Sequence, residues 1–372
     1  MRRAVATGWK LWGPMSLATA TIGQIMDWFE RLTGYKESTG LLGYEQTRQR
    51  LQVDGQVLTS LVNGHRYGIG RLELGSMAAL RRRAQSGARV PGQRQLRVAR
   101  GHARAMHAEP EYVGALFQVA SQFNLLEMVG PEVTPEHGVT RYEGDRTQGP
   151  ACAIAAGAAT VYRNYFVTVG DATGQTRNRQ LDTFAGFGAA VAHGLGRPGE
   201  SLWTMRNGYA MFTRASVDLM SSHVQSLDTT GRDEIRQHLQ IGLHWDVEVT
   251  DADATPGPTV SQAFCSALPV SYNNLMSGTR GAKWAPLAQL VLEAAYEATL
   301  WAAVLNAQRG VSNTVLLTLL GGGAFRNEEG WILAAMQHAL QAVSGHGLDI
   351  VIVSYGTPSA DLQLWVAKHN AT

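Results

Sequence analysis

The sequence predicts an α/β fold: a largely parallel or mixed β-sheet covered on both faces by helices. Three observations predict it. Ala115–Ala120, Thr314–Leu320 and Leu348–Ser354 are short apolar runs without polar alternation, as expected of strands buried on both faces. Helical stripes follow them through glycine-rich turns, the order that builds α/β sheets. A chain of 372 residues, 45% hydrophobic and 17% charged, is also long enough to bury one large core or two modest ones.

Residues 1–108 read as an accessory region. Ile25, Trp28, Phe29 and Leu32 share one face at helical spacing. Asp54-Gly55 and Asn63-Gly64 each lie between strand-forming residues (51–58 and 61–67), so a small antiparallel sheet is expected there. Arg2, Arg3 and Lys10, with no acid before Asp27, give the start of the chain a superficial likeness to a targeting peptide. The stretch Met15–Met26 is interrupted by Ser, Thr, Gly and Gln, so the segment is read as an amphipathic helix.

Residues 109–372 are expected to form the main domain. After the strand at 115–120, Gln148–Tyr165 reads as one helix with Pro150 in its first turn and Ala151, Ile154, Ala155, Ala158 and Val161 on one face. Gln180–His193 reads as a second, glycine-containing helix. An insertion near 200–245 begins with a hairpin around Asn207-Gly208 and continues as helix into a strand at Trp245–Val249. Pro286 is expected to open a helix with an apolar stripe from Leu287 to Leu305. The strand Thr314–Leu320, a helix Asn327–Val343 and the strand Leu348–Ser354 complete the alternation. No repeat, heptad run or low-complexity tract is present.

Composition narrows the function classes. Cys152 and Cys265 are the only cysteines, too few for a disulfide framework, so a reducing, cytoplasmic setting is expected. No apolar stretch is long enough to span a bilayer, and no membrane partner is expected. The net charge of +2 neither requires nor excludes nucleic acid, and no nucleic-acid partner is expected. The arginines from Arg81 to Arg104 read as a solvated face or loop, with a phosphate-attracting patch as the alternative. His102 and His107, and His238 and His244, lack metal-pair spacing, and Asp251 and Asp253 lack the other ligands of a calcium loop. The Gly-x-Ser-x-Gly elbow is absent. No metal and no cofactor are expected.

Three segments carry the chemistry. In Leu319-Leu320-Gly321-Gly322-Gly323-Ala324-Phe325-Arg326-Asn327, a buried strand ends in three glycines before a helix. Backbone amides exposed there without Cβ atoms make an anion-binding concavity. It is neither a Walker A loop nor a dinucleotide fingerprint. Glu328 and Glu329 compensate the helix dipole themselves, so a phosphate is expected over the amides of Gly321–Phe325 rather than on the helix axis. The second segment, Arg141-Tyr142-Glu143-Gly144-Asp145-Arg146-Thr147-Gln148-Gly149-Pro150, brings acids to a helix start. One of them could promote water attack at an anomeric carbon, or Asp145 or Thr147 could be a mere cap. In the third, Asn124 is a candidate for a ribose hydroxyl. Glu127 is either a catalytic carboxylate or a surface charge, and its residue type favours the surface.

Taken together, Asn124 after a strand, the loop ending Gln148-Gly149-Pro150 and the late Gly321-Gly322-Gly323-Ala324-Phe325 resemble the macrodomain superfamily, most of all its poly(ADP-ribose) glycohydrolase branch. The resemblance spans roughly residues 109–360. It implies a three-layer α/β/α sandwich with ADP-ribose across the strand ends. Gly321–Phe325 and Asn327 would then lie at the diphosphate, 143–150 near the distal ribose, and Tyr355 where an aromatic stacks on a base. The chain departs from the family where a glycohydrolase has Gln-Glu-Glu with the second Glu catalytic: here the place reads Gln148-Gly149-Pro150. A catalytic acid must then be Asp145, Glu143 or Glu127, and Asp145 is preferred. The expected function is hydrolysis of the glycosidic bond between ADP-ribose and a modified protein or related conjugate. A non-catalytic ADP-ribose reader is the alternative, and a decayed site serving an interaction protein is a third reading.

Overall fold

The structure, a computed structural model, describes residues 26–277 and 281–370, without the side chains of 274–277. Its frame is a seven-stranded mixed sheet. In chain order the strands are β1 (Arg71–Ser76), β2 (Gln95–Arg100), β3 (Leu116–Ala120), β4 (Gln240–Glu248), β5 (Thr259–Cys265), β6 (Thr314–Leu317) and β7 (Asp349–Ser354). Across the sheet they run β1-β4-β5-β3-β6-β7-β2. β4 pairs antiparallel with both β1 and β5, while β5, β3, β6, β7 and β2 run parallel. The carboxyl ends of the parallel strands therefore emerge on one side, where α/β sheets hold ligands.

Helices that frame that sheet include α1 (Met77–Ser86), α2 (Gln148–Ala155), α3 (Gly157–Tyr165), α4 (Gly281–Gln308) and α5 (Glu329–Ala342). The period-2 alternation of strand side chains explains the layers. Val315 and Leu317 of β6, with Ile350 and Ile352 of β7, face the core built with α1, α4 and α5. Leu316 and Val351 point the other way and meet Ala156 and Ala159, where α2 and α3 join. Strands covered on both faces need apolar residues at successive positions, hence the continuous runs in the sequence.

Several boundaries differ from expectation, each for a local reason. The helix expected over 148–165 breaks at Ala156. The Gly157 N–H goes to Thr250 Oγ1 (2.8 Å), while the Ala153 carbonyl it would have used takes the Thr160 hydroxyl (2.6 Å). A Cβ on Gly157 would lie 2.9 Å from the Trp28 ring, so glycine lets that ring into the gap. The helix expected from Gln180 spans Ala185–Gly194, because Asp182 Oδ1 accepts the N–H groups of Phe184 and Ala185. Pro286 lies inside α4 rather than opening it; the buried Trp284 belongs to the turn before. The strand expected from Trp245 begins at Gln240, because the whole length of β1 pairs with it. β6 stops at Leu317, since the next amides turn to side chains: Thr318 N–H to Gln118 Oε1 (3.2 Å) and Leu320 N–H to the Tyr296 hydroxyl (2.9 Å).

The boundary expected at 108/109 passes through the sheet rather than beside it. β1 and β2 come from the N-terminal region and form the two edges, giving β4 and β7 the backbone partners they would otherwise lack. The rest of that region includes a three-stranded antiparallel sheet of Leu51–Asp54, Val57–Ser60 and Arg66–Gly68, and a helix Trp28–Thr33 that buries Trp28, Phe29 and Leu32. The basic start and Met15–Ile25 lie outside the described residues. Four of the eight arginines in the dense segment form ion pairs: Arg81 with Asp233 and Glu297, Arg83 with Glu73, Arg97 with Glu111 and Asp349, and Arg104 with Asp251. The Asn207-Gly208 hairpin joins Trp203–Arg206 to Tyr209–Phe212, both turn residues having positive φ, as a type I′ turn requires. No helix among the described residues is long and apolar enough to cross a membrane.

Candidate active site

A cleft of about 310 Å³ opens at the carboxyl ends of β3, β6 and β7. It is lined by Ala120–Gln122 and Glu127–Val129 after β3, by Thr318–Gly321 and Gly323–Phe325 after β6, by Tyr355 after β7, and by Asp145–Pro150 at the start of α2. The strand-to-helix junctions at 145–150 and 318–325 thus share one cavity.

The glycine loop is held from beneath. Gly321 has φ +74°, and a Cβ there would sit 2.5 Å from Ala267 Cβ and 2.7 Å from Asn327 Nδ2, so only glycine fits. Asn327 is buried, lies off the cleft, and donates from Nδ2 to the Leu268 carbonyl (2.9 Å), while its N–H closes the loop onto Gly321 O (2.9 Å). Gly322 N–H bonds back to Leu319 O (3.0 Å). Among the described residues, the amides of Gly321, Gly323, Ala324 and Phe325 have no acceptor. Gly323 has open space where a Cβ would be. These are the free, unshielded donors an anion needs.

The segment after β3 turns back sharply. Leu125 adopts φ +63°, strained for a branched side chain, and is surrounded by restraints. Its N–H bonds to Gln122 O (3.0 Å), and the Leu126 N–H reaches Asn124 Oδ1 (3.1 Å). Gln175 Nε2 donates to Asn124 O (3.0 Å), Met128 N–H donates to Gln122 Oε1 (2.8 Å), and Arg163 Nε donates to Leu125 O (3.2 Å). Asn124 is therefore a brace and not a ribose contact: it is fully buried, off the cleft, and its Nδ2 is given to Gln180 Oε1.

That turn delivers Glu127 into the cleft wall. The sequence favoured a surface charge; instead Glu127 is 1% exposed, and neither carboxyl oxygen has a hydrogen-bond partner among the described residues. Burial pushes its carboxyl up to about 8. The nearby Arg163 guanidinium pulls the other way and the Asp145 carboxylate adds to the rise. At neutral pH Glu127 is thus a neutral acid with a proton to give. Its backbone N–H is fixed by the Tyr142 hydroxyl (3.1 Å). A signal was present in the sequence: Leu125, Leu126, Met128 and Val129 enclose the acid in an apolar run.

The remaining expectations divide. Asp145 lines the cleft, half-buried, and accepts the Thr147 N–H (2.8 Å). Glu143 does not line it: it is exposed, and its carboxylate accepts the Trp28 N–H (3.4 Å). Gln148 is on the wall, but both its polar atoms are committed to β3, accepting from Ala120 N–H (2.9 Å) and donating to Gln118 O (2.8 Å). Gly149 lets α2 approach β3, since a Cβ would overlap Ala120 O at 2.0 Å and meet Glu127 Cγ at 2.9 Å. Pro150 is buried beside it. Gly322 does not line the cleft. Tyr355 does, at 75% exposure, with its ring edge-to-face against His102 (5.5 Å), so one ring face is free for stacking.

Sequence reasoning missed the aromatic wall. Tyr209 and Tyr272 meet the Phe325 ring at 5.5 and 5.8 Å and each other at 5.1 Å. The hairpin supplies Tyr209, whose hydroxyl donates to Met128 O (2.6 Å) and ties the wall to the Glu127 turn. The N-terminal region braces the other side. The half-buried Glu37 accepts from Val139 N–H (2.9 Å), Thr140 N–H (2.7 Å) and the Tyr165 hydroxyl (2.7 Å), fixing the start of the loop that leads to Asp145. No group of three or more metal-ligating side chains occurs among the described residues.

No protein-family description matches the chain, and no curated protein does. Solved structures do. The chain is similar to a point mutant of poly(ADP-ribose) glycohydrolase from Deinococcus radiodurans in complex with ADP-ribose, with 11% identity, 80% of this chain and 93% of that chain covered, and a TM-score of 0.41. It is also similar to poly(ADP-ribose) glycohydrolase from Thermomonospora curvata (12% identity, 87% and 95% covered, TM-score 0.41), and to the same enzyme bound to the inhibitor ADP-HPD (13% identity, 87% and 95% covered, TM-score 0.41). Likenesses of this size do not define the activity of this chain.

Proposed function

We propose that the protein is an ADP-ribosyl hydrolase that binds ADP-ribose in this cleft and cleaves its glycosidic bond to a modified protein or related conjugate. One observation carries the reading: Glu127, a buried residue whose carboxyl has no hydrogen-bond partner among the described residues, lines the same cavity as the free amides of the 321–325 loop. The amides donate to a diphosphate, and Tyr355 offers a stacking face. Glu127 gives its proton to the leaving atom as the bond to the anomeric carbon breaks. Asp145 takes a proton from the water that adds to that carbon. Two carboxyls in unlike environments can divide the acid and base roles in this way.

The test combines calorimetry with ADP-ribose and release of free ADP-ribose from ADP-ribosylated protein. Asp145→Ala is expected to keep ADP-ribose affinity while turnover falls by about two orders of magnitude or more. Unchanged turnover removes Asp145 from the mechanism. Gly149 and Pro150, standing after Gln148 where the glycohydrolase has its two acids, favour a second reading, a non-catalytic reader of ADP-ribose. Tight binding without product by the unmodified chain would establish that reading, and absence of binding would reject both.

A further inference from the structure

Arg163 stands in α3, fully buried and off the cleft. Its guanidinium donates from Nε to Leu125 O (3.2 Å) and from Nη2 to Thr160 Oγ1 (2.9 Å), approaches His244 Nδ1 (3.3 Å) from Nη1, and lies over the Phe264 ring at 3.8 Å. These partners are neutral, and no carboxylate among the described residues is within ion-pair distance. A buried cation without a bonded counter-ion is costly, so a folded chain keeps one only where other interactions hold it. The carboxyl that feels its field is Glu127. The bond to Leu125 O sits at the one strained residue of the turn that presents Glu127.

We infer that Arg163 is the positioning residue for Glu127: it pins the strained 121–128 turn and supplies the fixed positive charge beside which that carboxyl releases and regains its proton. The inference rests on the hydrolase reading for its catalytic consequence, but not for its electrostatics. The titratable and charged groups facing Glu127 are Arg163 of α3, Asp145 and Tyr142 of the loop before α2, and Cys152 of α2. His244 of β4 lies 3.3 Å from the Arg163 guanidinium, and burial, with that positive charge beside it, holds it neutral. Arg163 is the one cation in this set. Arg146, on the loop before α2, also lines the cleft but is exposed.

The experiment titrates the Glu127 carboxyl directly, by infrared difference spectroscopy of the full chain, with Glu127→Gln identifying the band. Arg163→Met removes charge and fork together; Arg163→Lys keeps the charge but not the fork. In Arg163→Met the titration should move upward by about one pH unit or more. The alkaline limb of turnover should move with it, because the acid keeps its proton to higher pH. In Arg163→Lys the titration should stay near that of the unmodified chain, while kcat falls about tenfold or more and ADP-ribose affinity stays within about threefold. An unmoved titration in Arg163→Met, or unchanged kcat in Arg163→Lys, overturns the inference. Should Arg163→Met fail to fold, Arg163→Lys decides alone. Full turnover by Glu127→Gln sinks the hydrolase role of that acid and leaves the titration result standing, so the two failures are distinguishable.

Discussion

Replacing Glu127 by Gln probes the buried acid without reference to any ligand. The folded chain holds the Glu127 proton far more tightly than an unfolded chain does, its carboxyl rising from the ordinary 4.5 to about 8. Because the folded state binds the extra proton, stability is fully present below about pH 4.5, falls as pH rises, and levels off above about pH 8. At ~1.4 kcal/mol for each pH unit, the full loss is on the order of 5 kcal/mol, of which about 3 kcal/mol falls between pH 6 and pH 8.5. Gln carries a neutral amide of nearly the same shape, so Glu127→Gln should remove this slope. Urea unfolding at pH 6, 7 and 8.5 measures it. The unmodified chain should lose stability over that interval by about 3 kcal/mol more than the variant. Desolvation also pushes the half-buried Glu37 carboxyl upward, so it contributes a slope of the same sign, common to both proteins; the difference between them isolates Glu127. Parallel pH dependences in the two proteins would refute the claim that Glu127 is buried and unpaired.

Two further outcomes follow from the geometry. Gly321→Ala must place a Cβ against Ala267 and Asn327 at positive φ, so it should cost about 1–3 kcal/mol of stability by thermal unfolding and weaken ADP-ribose binding in calorimetry; an Ala variant with unchanged Tm and affinity would contradict the loop geometry. Glu37→Ala leaves the amides of Val139 and Thr140 and the Tyr165 hydroxyl without their acceptor, and should cost about 2–4 kcal/mol by denaturant unfolding, with turnover falling as the Asp145 loop loosens. Unchanged stability would mean that the N-terminal region does not brace the site.

Much of the frame was legible because its physics is local. Strands buried on both faces must be apolar throughout, which made β3, β6 and β7 visible. The Asn207-Gly208 turn and the triple glycine announced backbone shapes that few other residues adopt. What escaped was set by distant partners. α2 and α3 separate because Thr250, far along the chain, takes one amide and Trp28 fills the gap. The N-terminal strands join the sheet because β4 and β7, encoded far downstream, need edge partners. Glu127 is carried inward by Arg163, Gln175 and Tyr142, none of them near in sequence, so its own neighbourhood read as a loop leading to a surface acid. Asn124 and Gln148 were assigned to ligand for the converse reason: their amides complete backbone bonds that only the folded turn creates.

A crystal structure with ADP-ribose soaked into the cleft tests the central claim most directly. The diphosphate should lie over the Gly321, Gly323, Ala324 and Phe325 amides at hydrogen-bond distance, with the anomeric carbon turned toward the Glu127 carboxyl. A diphosphate bound elsewhere, or an anomeric carbon facing away from Glu127, would contradict it.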